Sequence, residues 1–206
     1  MTAVTSHPVV DAPSPSRRAR WVAVAVGCVV LAGGIGWWAL REGPAVSVPA
    51  KVCDGSLSGS LVSTLLPDYG TAYSEKVQGF GKDGSGAGFC SIRGGGLGLH
   101  LSYHRWTGDF YSDKTIEDLA SAKGRQALKA GTAKGDVSDT FGELFVQCPS
   151  KADPDSKVQV SVEYLHRDGT KGAVADLRAL TVAAARYVAQ DLLDCEGAEA
   201  LATAGS

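Results

Sequence analysis

From residue 21 to residue 40 the chain runs through twenty consecutive positions without a charge, WVAVAVGCVVLAGGIGWWAL. At ~1.5 Å per residue a helix of that length covers the ~30 Å hydrocarbon core of a bilayer. Beyond it the pattern breaks into short periodic segments. Leu57, Leu61 and Leu65 repeat at i, i+4 and i+8 and predict a short helix over 56–66, stopped by Pro67. Residues 76–80 predict a weak strand. Residues 88–93 and 97–106 predict a hairpin about Gly94-Gly95-Gly96, and 142–148 with 157–166 a second hairpin about a loop holding Asp153-Pro154-Asp155. A Thr115-x-x-Asp118 capping pattern opens a predicted helix over 115–130, and 171–194 predicts the longest helix of this part. The order α, ββ, α, ββ, α predicts an α+β fold, with about four antiparallel strands and helices packed on one face.

The apolar run carries Trp21 at one end and Trp37 and Trp38 near the other, where indoles sit well between lipid tail and headgroup. Arg17, Arg18 and Arg20 precede it and only Arg41 follows, which puts the N-terminus in the cytoplasm and the C-terminal bulk outside. A cleaved signal peptide is the first rival, but its apolar core is shorter and residues 44–48 offer no small-residue cleavage site. A lipoprotein is the second, because Ala25-Val26-Gly27-Cys28 resembles a lipobox, yet apolar chain continues to Leu40. The expectation is an uncleaved single-pass anchor in the cell membrane, touching lipid through residues 21–40. Within it Cys28, Ala32 and Gly36 form a stripe of small residues suited to self-association. Residues 1–20 then read as a disordered cytoplasmic tail and 41–52 as a Pro-containing linker. Residues 53–198 are the extracytoplasmic α+β domain and 199–206 a flexible C-terminal tail.

Charge narrows the partners. Residues 43–206 hold 16 Lys+Arg against 20 Asp+Glu, so nucleic acid finds no basic face there. Cysteine narrows the compartment. Apart from Cys28, the outer part contains Cys53, Cys90, Cys148 and Cys195, an even number in which no two are close enough for a zinc knuckle. Two disulfides are expected in an oxidising space. Side chains alternate across a strand, so Cys90 shares a face with Ile92, and Cys148 with Leu144 and Val146. Cys195 continues the stripe of Val174, Leu177, Thr181, Ala184, Val188 and Leu192 on the last helix. Four cysteines allow three pairings. The face argument favours Cys53–Cys90 and Cys148–Cys195, each tying an outer helix to a strand beneath it.

Cys53-Asp54 opening a Leu-rich helix, followed by Gly-rich chain into Cys90-Ser91-Ile92 and a strand, resembles a group of actinobacterial membrane-anchored extracytoplasmic proteins, many of them lipoproteins of unknown function. A looser likeness is to the extracytoplasmic sensor domain of mycobacterial serine/threonine kinases. The resemblance implies a twisted antiparallel sheet with two helices and two disulfides, and a ligand role; it brings no catalytic residues. This chain departs from the pattern at Ile92, where the group has Trp, and in having an apolar helix in place of the lipobox.

Candidate chemistry is sparse. Gly79-Phe80-Gly81-Lys82-Asp83-Gly84 matches G-x-G-x-x-G, but no buried strand precedes it and no helix follows. Nine of the 26 glycines fall between 79 and 98, so a chance match in a loop accounts for it. His100 and His104 share a strand face with Ser102 and Trp106, opposite Leu97, Leu99, Leu101 and Tyr103. They stand about 13 Å apart, too far to chelate one ion. His100, His104 and Trp106 are the candidate binding patch, because large aromatics favour interfaces. A triad from Ser102, His166 and an Asp has no fixed geometry, and Asp153 with Asp155 lacks the other ligands of a calcium loop. No cofactor, metal or catalytic residue is assigned. The expectation is a binding or sensing module for an unidentified ligand or protein outside the membrane. A scaffold subunit and a cell-envelope enzyme are the alternatives.

Protease applied to intact, wall-stripped cells should digest the outer part and spare residues 1–20. A mature protein free in the medium and starting beyond residue 40 would contradict the uncleaved anchor.

Overall fold

The computed structural model describes residues 43–81, 86–108, 110–166 and 174–201. The chain divides into two units, Met1–Glu42 and Gly43–Ser206, of which the second is described. The expected membrane segment 21–40 and the expected self-association stripe of Cys28, Ala32 and Gly36 lie outside the described residues. Among those described, no helix is long and apolar enough to cross a membrane.

The domain is α+β, built on one seven-stranded antiparallel sheet. Its strands are β3 (Ser74–Gln78), β4 (Ala87–Gly94), β5 (Leu97–Trp106), β6 (Gln126–Ala130), β7 (Ala133–Val137), β8 (Phe141–Gln147) and β9 (Lys157–His166). Their order is β3-β4-β5-β9-β8-β7-β6. A two-stranded pair, β1 (Lys51–Val52) and β2 (Leu57–Ser58), leads into a five-residue helix α1 (Gly59–Ser63). Helix α2 spans Asp113–Ala120 and α3 spans Val174–Arg186, continuing as a π-helical turn over Tyr187–Leu192.

Seven strands replace the four expected. The difference comes mainly from residues 115–130, predicted as one helix. The helix ends at Ala120, and Gly124 at φ +83° turns the chain in a backbone conformation costly for other residues. After it Gln126–Ala130 pairs with Ala133–Val137 around Gly131 at φ +56°. That hairpin has two larger apolar residues, Leu128 and Val137, among Ala127, Ala130, Ala133 and Gly135, too few to mark a strand period in sequence.

The helices also do not share one face. Cys90, Ile92, Leu99, Leu101, Tyr103, Leu144, Val146, Val158, Val160 and Val162 line the main core with Leu177, Leu180, Ala184 and Val188 of α3. Helix α2 lies on the opposite face. There Ile116 is buried, and Lys134 of β7 reaches Asp113 and Glu117, at 3.0 Å each. Ser112 caps α2, its hydroxyl accepting from Thr115 N at 3.2 Å, three residues before the expected helix start.

Two disulfides brace the main core, Cys53–Cys90 and Cys148–Cys195. The first holds the β1–β2 turn, where Cys53 and Asp54 adopt φ of 55° and 58°. Non-glycine residues in that region are strained. The crosslink and a 2.9 Å hydrogen bond from Cys53 N to Glu75 Oε2 hold the turn. The second closes the far end of α3, where the π-helical turn brings Cys195 N to Ala189 O at 2.7 Å.

Residues 43–52, expected as a spacer, lie against the domain: Ala45 bridges Tyr69 and Val46 N donates to Asp68 O at 2.7 Å. At the other terminus Ala198 and Leu201 are buried, so the packed chain extends to Leu201.

Replacing Cys148 and Cys195 together by Ser should lower unfolding free energy by about 2–5 kcal/mol, read by denaturant titration, since the crosslink restricts the unfolded chain. No change would mean that α3 is held by its apolar face alone.

Candidate functional site

The face opposite the main core sorts its residues by strand parity. Ser91 of β4, His100, Ser102, His104 and Trp106 of β5, Gln159, Ser161 and Glu163 of β9, and Glu143 and Phe145 of β8 all point to it. Helix α2 and the loop before it cover its β6–β8 side, while among the described residues no helix lies over the β3–β5 side. The sequence-predicted patch straddles the boundary between the two.

His100 sits on the uncovered part and is already engaged. Its Nδ1 lies 2.8 Å from Ser91 Oγ, and its ring lies 5.6 Å from that of Phe89. Glu163 is its partner on the other side, so Ser91, His100 and Glu163 form a row across three strands. Such a row has the residue types of a hydrolytic triad. It lacks a place for an oxyanion, because β4, β5 and β9 each pair on both sides and spend their amides in the ladder. Ser102 and Ser161 hydrogen-bond across the same sheet at 2.9 Å.

His104 is exposed and meets Trp106 edge to face, with centroids 4.5 Å apart. Trp106 is half-buried. Phe110 stacks over it at 5.1 Å and 9°, Tyr111 meets it at 5.2 Å, and Tyr111 in turn contacts Phe145 at 4.6 Å. The patch therefore brings together His104 and Trp106 but not His100. Its outermost member, Phe110, is 66% exposed and lies outside the predicted set. A loop residue has no strand parity to betray it; the signal was its spacing of four from Trp106 beside Tyr111.

Beneath these rings runs a polar chain. Trp106 Nε1 donates to Gln159 Oε1 at 2.8 Å, and Gln159 Nε2 donates to Glu143 Oε2 at 2.7 Å. Glu143 faces Asp136 across β7 and β8, and Arg125 Nη1 donates to both Asp136 oxygens at 3.0 Å. Arg125 also stacks over Phe141 at 5.4 Å. Burial, first, raises the Glu143 carboxyl above its ordinary value; the neighbouring Asp136 adds to the rise, and Gln159 and Arg125 oppose it. None of these residues shows a motif in sequence, because they join four separate strands and a turn.

A hollow of ≈ 540 Å³ opens on the main-core side between β1–β2 and α3. Its buried lining, Leu57 and Val182, is apolar, and Lys51, Arg186 and Asp191 stand exposed at its rim. A buried polar group to orient a ligand is missing among its described lining residues. Among the described residues no group of three His, Cys, Asp or Glu could hold a metal ion.

Glu143 also generates a stability prediction. A carboxyl whose folded value lies above its unfolded one binds the proton more tightly in the native state. Its favourable contribution is complete below 4.5, the ordinary value, and is lost as pH rises through the folded value. Glu143→Gln should therefore raise the melting temperature at neutral pH and flatten its rise toward mild acid. A variant melting lower than the parent at neutral pH would show that the ionised carboxylate contributes more than it costs.

Compared with known protein families, curated proteins and solved structures, the chain matches none.

Proposed function

We propose that residues 43–206 form an extracytoplasmic binding module, held at the membrane by residues 21–40, whose contact surface is the aromatic platform of His104, Trp106 and Phe110. The observation that carries the reading is Phe110: a large apolar ring, 66% exposed, stacked on a half-buried Trp. An exposed aromatic on a rigid aromatic base is the composition of an interface anchor, since little side-chain freedom is lost when a partner covers it. The platform's position supports the same reading. The chain joins the domain beside the β4–β5 turn, where Gly70 N donates to Pro44 O at 3.0 Å and Gly95 N to Thr71 O at 2.9 Å. Strand β5 runs from that turn to Trp106, about 30 Å away at ~3.3 Å per residue. Within the domain the platform thus lies at the opposite end of β5 from the place where Gly43 enters, and the described part of the entering chain leaves it uncovered. A scaffold subunit would use the same surface. For the enzyme alternative the described residues bring together the Ser91–His100–Glu163 row, whose strands spend their amides in the sheet ladder.

The two rings separate binding from stability. Phe110→Ser should leave unfolding free energy within about 0.5 kcal/mol of the parent, because most of the ring is already in water. Trp106→Ser should cost about 2 kcal/mol or more, since it empties the centre of the aromatic cluster and strands Gln159. A photo-crosslinking residue at position 110, introduced into the full chain in its own membranes, should give a discrete adduct. The same residue at position 129 on the edge strand should not. Equal labelling at both positions would remove the platform as the contact surface.

A further inference from the structure

Asp136 and Glu143 are directly opposed partners on β7 and β8, so their carboxyl groups emerge side by side on one face. They are 1% and 5% exposed. Like charges placed opposite each other destabilise a strand pair, and exclusion of water makes the repulsion stronger. Among the described residues one cation faces them. Arg125 gives Nη1 to both Asp136 oxygens and stands 3.6 Å from Glu143 Oε1. The neighbouring charges are committed elsewhere. Lys134 of β7 is held by Asp113 and Glu117 of α2, and Lys157 of β9 donates to Tyr111 O at 2.9 Å, 3.9 Å from Asp113. His104 lies beyond Gln159, against Trp106. Two carboxylates and one guanidinium leave a buried excess negative charge that a single proton cancels.

We propose that Glu143 is a proton-binding latch that sets how firmly the Trp106–Phe110 platform is held, a regulation that rests on the reading of that platform as the contact surface. In the ionised state the Glu143 carboxylate accepts from Gln159, whose opposite end accepts the Trp106 N–H, and Trp106 carries Phe110. In mild acid Glu143 takes one proton from solvent and donates it to an Asp136 oxygen, while Arg125 stays on Asp136. Gln159 then donates to a neutral carboxyl rather than an anion, and such a bond is about half as strong. The tether of the platform loosens while the strand pair beneath it gains from the lost repulsion. Acid thus stabilises the domain and frees its contact surface in one step.

Trp106 reports the latch directly, because the other three tryptophans, Trp21, Trp37 and Trp38, all precede the domain. In the full chain with those three replaced by Phe, quenching of Trp106 fluorescence by acrylamide is followed from neutral pH into mild acid. The expected result is a rise in quenching as the pH falls, because Trp106 gains freedom when its tether weakens. Its midpoint should lie above 4.5, the ordinary glutamate value. Glu143→Gln should abolish the transition and His104→Asn should keep it. A flat parent profile, a transition that survives Glu143→Gln, or one that vanishes in His104→Asn would each overturn the latch, the last by assigning the proton to His104. Thermal melting at both ends of the pH range shows that each variant is folded. The readout needs no partner, so a failed latch and a failed contact surface are told apart: the crosslink at position 110 tests the surface alone.

Discussion

The pairing of β5 with β9 is the contact on which the rest of the structure depends. Strands β3, β4 and β5 form one meander and β6, β7 and β8 another, and β9 returns along the chain to lie between them. The pairing runs from Gly98–His166 to Trp106–Lys157, the longest ladder of the sheet. It joins segments as far apart in sequence as Ser102 and Ser161, so closing it carries a loop entropy that local hairpins do not have. What repays it is burial on the main-core face, where Leu99, Leu101 and Tyr103 meet Val158, Val160 and Val162. A one-residue slip of this register would turn those side chains to the other face and separate Trp106 from Gln159.

Both layers over the sheet follow from that seam. Helix α3 lies across β8 and β9 with Leu177, Leu180 and Ala184 inward, and its end is crosslinked to Cys148 just beyond β8. On the opposite face Tyr111 bridges from Trp106 on β5 to Phe145 on β8, and α2 follows directly after it. The second face carries a small aromatic core of its own beside open polar sheet. An antiparallel sheet that is covered on one side and half-covered on the other has a built boundary, and the platform sits on it.

The polar chain under the platform is satisfied throughout. Among the described residues no fully buried side-chain nitrogen or oxygen lacks a partner. Satisfaction is not the same as balance. Removing Arg125 would leave two buried carboxylates facing each other, a far larger penalty than the loss of an exposed ion pair such as Lys114–Asp118. Among the described residues the buried charges lie together, two hydrogen bonds away from Trp106, on which Phe110 stacks.

Much of this was legible along the chain. Alternation of apolar and polar residues located β5 and β9 at their observed ends, because both strands bury one face and wet the other. Even cysteine count and side-chain parity were enough for two disulfides, since a crosslink needs facing side chains and parity says which face each occupies. The β6–β7 hairpin was not legible: Leu128 and Val137 stand alone among Ala, Gly and charged residues and mark no period, and a capped, charged stretch before Gly124 reads as helix until the backbone turns. Nor was the second layer, because α2 buries a single residue, Ile116, and one residue cannot announce a face. The site divides the same way. His104 and Trp106 follow from alternation within one strand. Phe110, Gln159, Glu143, Asp136 and Arg125 join them only when five segments from 106 to 159 are brought together, and a distance across strands has no image in the order of residues.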